Sequence, residues 1–191
     1  EIASCLVGSE MCIRDRVWGR GVSFPPAGGP VKKEGDLRSP AGIFELGGVY
    51  GTVPAPQKKR SMPYRRITPR DMWVDDPASP LYNQHFVLKH DPVTPWEFKQ
   101  QMKLNDYAHS LKLFIRHNAA DGRQKPVPGA GSSIFFHIWR RDGGAPTAGC
   151  TAMSEENLRA MIAWLDPSRH PLYILLPARE YLRLRRAWGL P

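Results

Sequence analysis

Ser133-Ile134-Phe135-Phe136-His137-Ile138-Trp139 is the clearest strand signal in the chain, and the fold reading starts there. Side chains alternate along a strand, so Ile134, Phe136 and Ile138 share one face while Phe135, His137 and Trp139 share the other. Downstream, Arg140 to Gly149 reads as a loop carrying Asp142-Gly143-Gly144. Ser154 then suits an N-cap, with Glu155 and Glu156 in a first turn where the helix dipole favours acidic groups. Leu158, Met161, Ile162 and Leu165 recur at helical spacing, which predicts an amphipathic helix that Asp166-Pro167 ends.

Working outward, Leu172 to Leu176 predicts a last buried strand and Glu180 to Trp188 a terminal helix stopped by Gly189. Upstream, Leu111 to Arg116 predicts a strand, and a Pro/Gly loop follows from Asp121 to Gly131. Trp96 to Leu104 has room for a short helix, and Met72 to Asp75 for a short strand. Residues 52–70 are polar and punctuated by proline, which predicts a long surface loop. Gly42 to Leu46 reads as a strand between turns at Lys33-Glu34-Gly35-Asp36 and Ser39-Pro40-Ala41-Gly42. Val17 to Val22 suggests another short strand.

The chain has 191 residues, of which 19 are proline and 17 glycine, a balance that favours short strands joined by tight turns over long helices. That length fits one domain able to bury a core without disulfides. Residues 1–16 have no convincing period and resemble translated sequencing-adapter read-through. They are set aside as a non-native leader, leaving 17–191 as a single domain. No signal peptide is visible, and no apolar run is long enough for a transmembrane segment.

The formal charge of +9 points to an anionic partner. The basic residues are dispersed, with small clusters at Lys58-Lys59-Arg60, Arg65-Arg66, Arg140-Arg141 and Arg183 to Arg186. No nucleic-acid motif accompanies them, so no nucleic-acid partner is expected.

Cys5 and Cys12 fall in the leader, which leaves Cys150 as the domain's one cysteine. A lone cysteine makes neither an internal disulfide nor a multi-cysteine zinc site. No metal-type spacing joins Cys150, His137 and His117, so neither a metal nor a cofactor is expected. Cys150 is then a small buried residue or a nucleophile. Thiolate chemistry needs a cysteine of lowered pKa, a base within reach and donors for an oxyanion. His137 ends a strand, and the following loop can fold Cys150 back towards it. Gly149 permits a sharp backbone turn before the thiol. A protonated His137 and the positive end of the helix near Ser154 would favour thiolate.

Phe136-His137-Ile138-Trp139 followed by Thr147-Ala148-Gly149-Cys150-Thr151-Ala152-Met153-Ser154 resembles the active-site stretch of the L,D-transpeptidase (YkuD-type) family, in a divergent branch with a Thr-Ala-Gly-Cys element. Lys33-Glu34-Gly35-Asp36-Leu37-Arg38-Ser39-Pro40-Ala41-Gly42-Ile43-Phe44 and Gly129-Ala130-Gly131-Ser132 are similar to the family in the same order. The resemblance implies a mainly β (α+β) domain, a sandwich or mixed sheets, with one amphipathic helix after the nucleophile and a short C-terminal helix.

It also implies a peptidoglycan stem peptide as substrate. Cys150 would be acylated at the bond joining diaminopimelate to D-alanine, and the acyl group would pass to an amine or to water. Carried over by position, Cys150 is the nucleophile, His137 the base and Gly149 part of the oxyanion turn. Trp139, Arg140, Arg141 and Thr147 are candidate substrate contacts, the arginines for stem-peptide carboxylates. Many relatives have Gly where this chain has Ile138, and Arg where it has Ala152, which touches acceptor choice. An L,D-carboxypeptidase or wall-peptide hydrolase using the same pair, and a non-catalytic wall-binding module, are the other readings. Peptidoglycan substrates place the protein outside the cytoplasmic membrane, in the periplasm or envelope.

Overall fold

The computed structural model describes residues 17–18, 31–56, 61–120 and 124–190. Residues 1–16, with Cys5 and Cys12, and the Lys58-Lys59-Arg60 cluster lie outside them. In chain order the strands and helices are β1 (Val17–Trp18), β2 (Pro40–Gly51), β3 (Tyr64–Arg66), β4 (Asp71–Trp73), β5 (His85–Val87), α1 (Pro95–Gln100), β6 (Leu111–Ile115), β7 (Phe135–Ile138), β8 (Thr151–Met153), α2 (Glu155–Trp164), β9 (Leu172–Leu175) and α3 (Ala178–Leu184). Strands in mixed sheets dominate, with three α-helices among the described residues.

Seven strands form one sheet along the path β1-β2-β6-β7-β8, with β3 and β9 also paired to β2. The long strand β2 serves two sets of neighbours. Its first half meets β1 and antiparallel β9, and its second half meets β3 and antiparallel β6. The register slips between Leu46 and Val49. Gly47 lies in that irregularity, where a Cβ would come within 2.6 Å of Phe114 Cδ1. Only glycine lets the strand pass so close to the ring.

The alternation expected for the histidine strand holds, and it sorts the whole sheet. Val49, Leu111, Leu113, Ile115, Phe136, Ile138 and Met153 pack with Leu158, Ile162 and Leu165 of the α2 segment. Phe114 and Phe135 face the other way, onto Ile67, Trp73 and Met102, with Tyr50 and Cys150 at the edge of that cluster. Burying both sides of the sheet supplies the main stabilisation, at roughly 25 cal/mol per Å² of apolar surface.

Several local expectations are corrected. Ser39 to Gly42 does not turn; Pro40 opens β2, since the first residue of a strand tolerates the missing N–H. The 52–70 segment contains β3, three residues too few to leave a pattern. Strand β9 is not buried: Leu172 is 58% exposed, because β9 lies at an edge with β2 as its one partner. Helix α3 starts and ends earlier than its sequence signal. Ser154 caps α2 as expected, accepting from Asn157 N at 3.2 Å.

Candidate active site

Strands β7 and β8 run parallel, with Phe136 opposite Thr151, His137 opposite Ala152 and Ile138 opposite Met153. Continuing that register brings Cys150 beside Phe135, on the face that also carries His137. The sulfur confirms the placement. Phe135 N–H donates to Sγ at 3.4 Å, and the thiol donates to Ser133 O at 3.4 Å. Cys150 and His137 are therefore diagonal neighbours on one sheet face. The ten-residue stretch 140–149 between the two strands closes the parallel connection, with its tight turn at Arg141–Gly143.

His137 is 2% exposed, and its Nδ1 lies 2.7 Å from Ile138 O. A carbonyl only accepts, so Nδ1 carries the hydrogen and the neutral ring keeps its lone pair on Nε2. Burial pushes the imidazole down to about 4, with the neighbouring His109 and Arg140 adding to the shift. The His109 ring stacks on it at 4.6 Å. Burial thus disfavours the expected imidazolium and holds the ring neutral at neutral pH.

Burial also pushes the Cys150 thiol up, against the Phe135 N–H and nearby cations. The resting pair is thus thiol and neutral imidazole, in place of a preformed thiolate and imidazolium. Desolvation outweighs the helix end that the sequence reading invoked.

Behind His137, Asp106 accepts from His109 N at 3.0 Å, lies 2.7 Å from His109 Nδ1 and pairs with Arg140. Burial opposes ionisation there, but the hydrogen bonds from Arg140 and His109 hold the carboxyl down at about 2. Lys112 stands opposite His137 on β6, is 4% exposed and donates to Met102 O at 2.8 Å. Burial pushes it down to about 8.

The remaining sequence candidates divide. Thr147 faces inward to its own turn: its hydroxyl donates to Cys150 O at 2.6 Å and accepts from Gly149 N–H at 3.3 Å. Trp139 is half-buried, its ring against Gly143. Arg140 is engaged with Asp106, whereas exposed Arg141 has no carboxylate partner among the described residues. His117 follows β6 on the opposite face, edge-on to Phe44, and so does not converge with Cys150 and His137.

Gly149 has φ +134°, and a Cβ there would lie 2.8 Å from Arg38 O. The segment around Arg38 and the Thr147–Cys150 turn therefore approach closely through their backbones. Gly149→Ala is expected to cost roughly 1–3 kcal/mol of stability through strain alone, plus any displacement of Cys150. Thermal melts and alkylation of Cys150 measure the two parts.

Asn83 was not signalled by the sequence. Its Oδ1 accepts from Trp73 Nε1 at 2.9 Å and Ser133 N at 3.1 Å, and its Nδ2 donates to His117 O and Asn118 O. It thereby holds Ser133, at φ 54°, in the conformation that offers its carbonyl to Sγ. Asn83→Ala leaves buried donors and acceptors unpaired at about 1–3 kcal/mol each. A denaturation midpoint lowered well beyond that of a surface substitution is the expected result.

A family model for the L,D-transpeptidase catalytic domain (YkuD) matches residues 9–174. No curated protein and no solved structure shows significant similarity to the chain.

Proposed function

The chain belongs to the YkuD family of L,D-transpeptidase catalytic domains, and from that premise we propose that Cys150 and His137 catalyse acyl transfer on peptidoglycan stem peptides. The observation that carries the reading is the shared sheet face: the register of β7 and β8 sets the one cysteine of the described residues diagonally beside a buried, neutral imidazole.

In the first step Sγ attacks the carbonyl carbon of the amide joining diaminopimelate to D-alanine, and His137 Nε2 takes the thiol proton. The tetrahedral oxyanion forms against the Thr147–Cys150 turn, whose path Gly149 allows. Collapse breaks the C–N bond, and the imidazolium returns its proton to the departing D-alanine nitrogen. An acceptor amine then attacks the thioester, passes its proton to His137 and releases Cys150 as thiol. Exposed Arg141 is the cation best placed to meet stem-peptide carboxylates. A wall substrate places this chemistry outside the cytoplasmic membrane, in the periplasm or envelope. No helix among the described residues is long and apolar enough to cross a membrane.

The test is product analysis with a tetrapeptide muropeptide, with and without an acceptor amine. A crosslinked or amine-capped product is expected. Tripeptide alone would make the protein a hydrolase. No turnover and no acyl-enzyme mass would make it a wall-binding module.

A further inference from the structure

We propose that the buried ammonium of Lys112 is the counter-charge for the anion that forms on the Cys150 sulfur. The inference rests on the reading of Cys150 as nucleophile, and it concerns what stabilises the sulfur after its proton leaves.

The geometry runs across neighbouring strands. Lys112 pairs in register with His137, and its Nζ lies 5.4 Å from the centre of the Phe135 ring. Phe135 is the residue whose N–H bonds the sulfur. Lys112, Phe135, His137 and Cys150 therefore occupy one patch of one face. The ammonium's contacts are a carbonyl and an aromatic face. No carboxylate among the described residues is within ion-pair distance of it, although Asp106 acts on it from further away. A buried cation without a matching anion is costly to keep. An anion that appears during the reaction cycle, on a neighbouring sulfur, offsets that cost.

The other charged and titratable groups around Cys150 are already committed. Lys32, in the segment before β2, pairs with Asp36. Arg140, after β7, pairs with Asp106. His109, ahead of β6, is hydrogen-bonded to Asp106, and burial pulls its ring down against that carboxylate. His137 is neutral through burial. Of the charges acting on the Cys150 thiol, Lys112 contributes most, with Lys32 and Arg140 behind it. Coupling between two such groups is mutual, so the sulfur also holds up the lysine.

The test reads the sulfur and needs no peptidoglycan. Iodoacetamide alkylation of Cys150 is followed against pH in the full chain, in Lys112→Met and in Lys112→Arg. Lys112→Met is expected to move the ionisation step up by about one pH unit or more, a tenfold loss of anion at a given pH. Lys112→Arg, which keeps a buried positive charge, is expected to bring it back towards the parent. Superimposable steps for the parent and Lys112→Met would overturn the proposal.

Should Lys112→Met fail to fold, the reciprocal measurement decides. In Cys150→Asp, which puts a carboxylate in place of the thiol, Lys112 should titrate higher than in the parent, and an unmoved lysine resonance overturns the pairing. Loss of stem-peptide turnover with intact alkylation behaviour would count against the proposed function alone.

Discussion

Cys150→Ala is expected to leave the fold intact and to remove acyl transfer, with turnover falling by roughly a thousandfold or more. The structural half of that expectation follows from what the sulfur holds. Its two hydrogen bonds are both 3.4 Å long, one to Ser133 O and one from Phe135 N. Sulfur bonds weakly in both roles, so the variant loses little besides some packing against the aromatic cluster. The chemical half follows from composition. Among the described residues no second cysteine is present to substitute. Without the thioester, the difficult amide exchange has to proceed in one step, with the imidazole and the oxyanion turn still in place but nothing to hold the acyl group. Intact mass after incubation with a carbapenem or a tetrapeptide muropeptide separates the halves. The parent should gain an adduct and the variant none, at matched melting temperature. Undiminished turnover by Cys150→Ala would sink the proposed mechanism.

The shared face of His137 and Cys150 was partly legible: alternation along 133–139 fixed which face His137 occupies, while attention to Cys150 came from the resemblance carried by Thr147-Ala148-Gly149-Cys150. The protonation state of the pair was not legible. It depends on how completely β6, β7 and the aromatic cluster remove water from both side chains, a property of assembly and not of spacing. Lys112 was hidden for a related reason: a lysine alternating with leucines in Leu-Lys-Leu reads as a solvent-facing position. Its ammonium is covered because Met102 and Phe135 close over it. Asn83 reaches Asn118 and Ser133 across sequence separations of 35 and 50, and no local pattern encodes such a link. Strand β8 was concealed by its brevity; Thr151-Ala152-Met153 looks like the tail of a loop until β7 offers it a partner.

Replacing His137 by glutamine should lower turnover by about 10²–10⁴, the usual contribution of a positioned base, and should also change how the protein responds to acid. Both effects share one cause. Folding holds the imidazole at about 4, below its ordinary 6.5, because the ring is desolvated. Catalysis requires the neutral ring, so the acid limb assigned to His137 belongs near 4, well below that of a solvated histidine. Stability carries the same signature. Between those two values the unfolded chain binds a proton that the native chain refuses, so stability rises with pH across the window and falls as pH drops through it. A difference of that size is worth on the order of 3 kcal/mol. Glutamine does not titrate, so His137→Gln should lose this portion of the pH dependence while keeping a donor for Ile138 O. Urea melts of both proteins across the window measure the difference directly. Parallel stability curves, or a parent whose activity falls away near 6.5, would mean that His137 is solvated and is not the base described here.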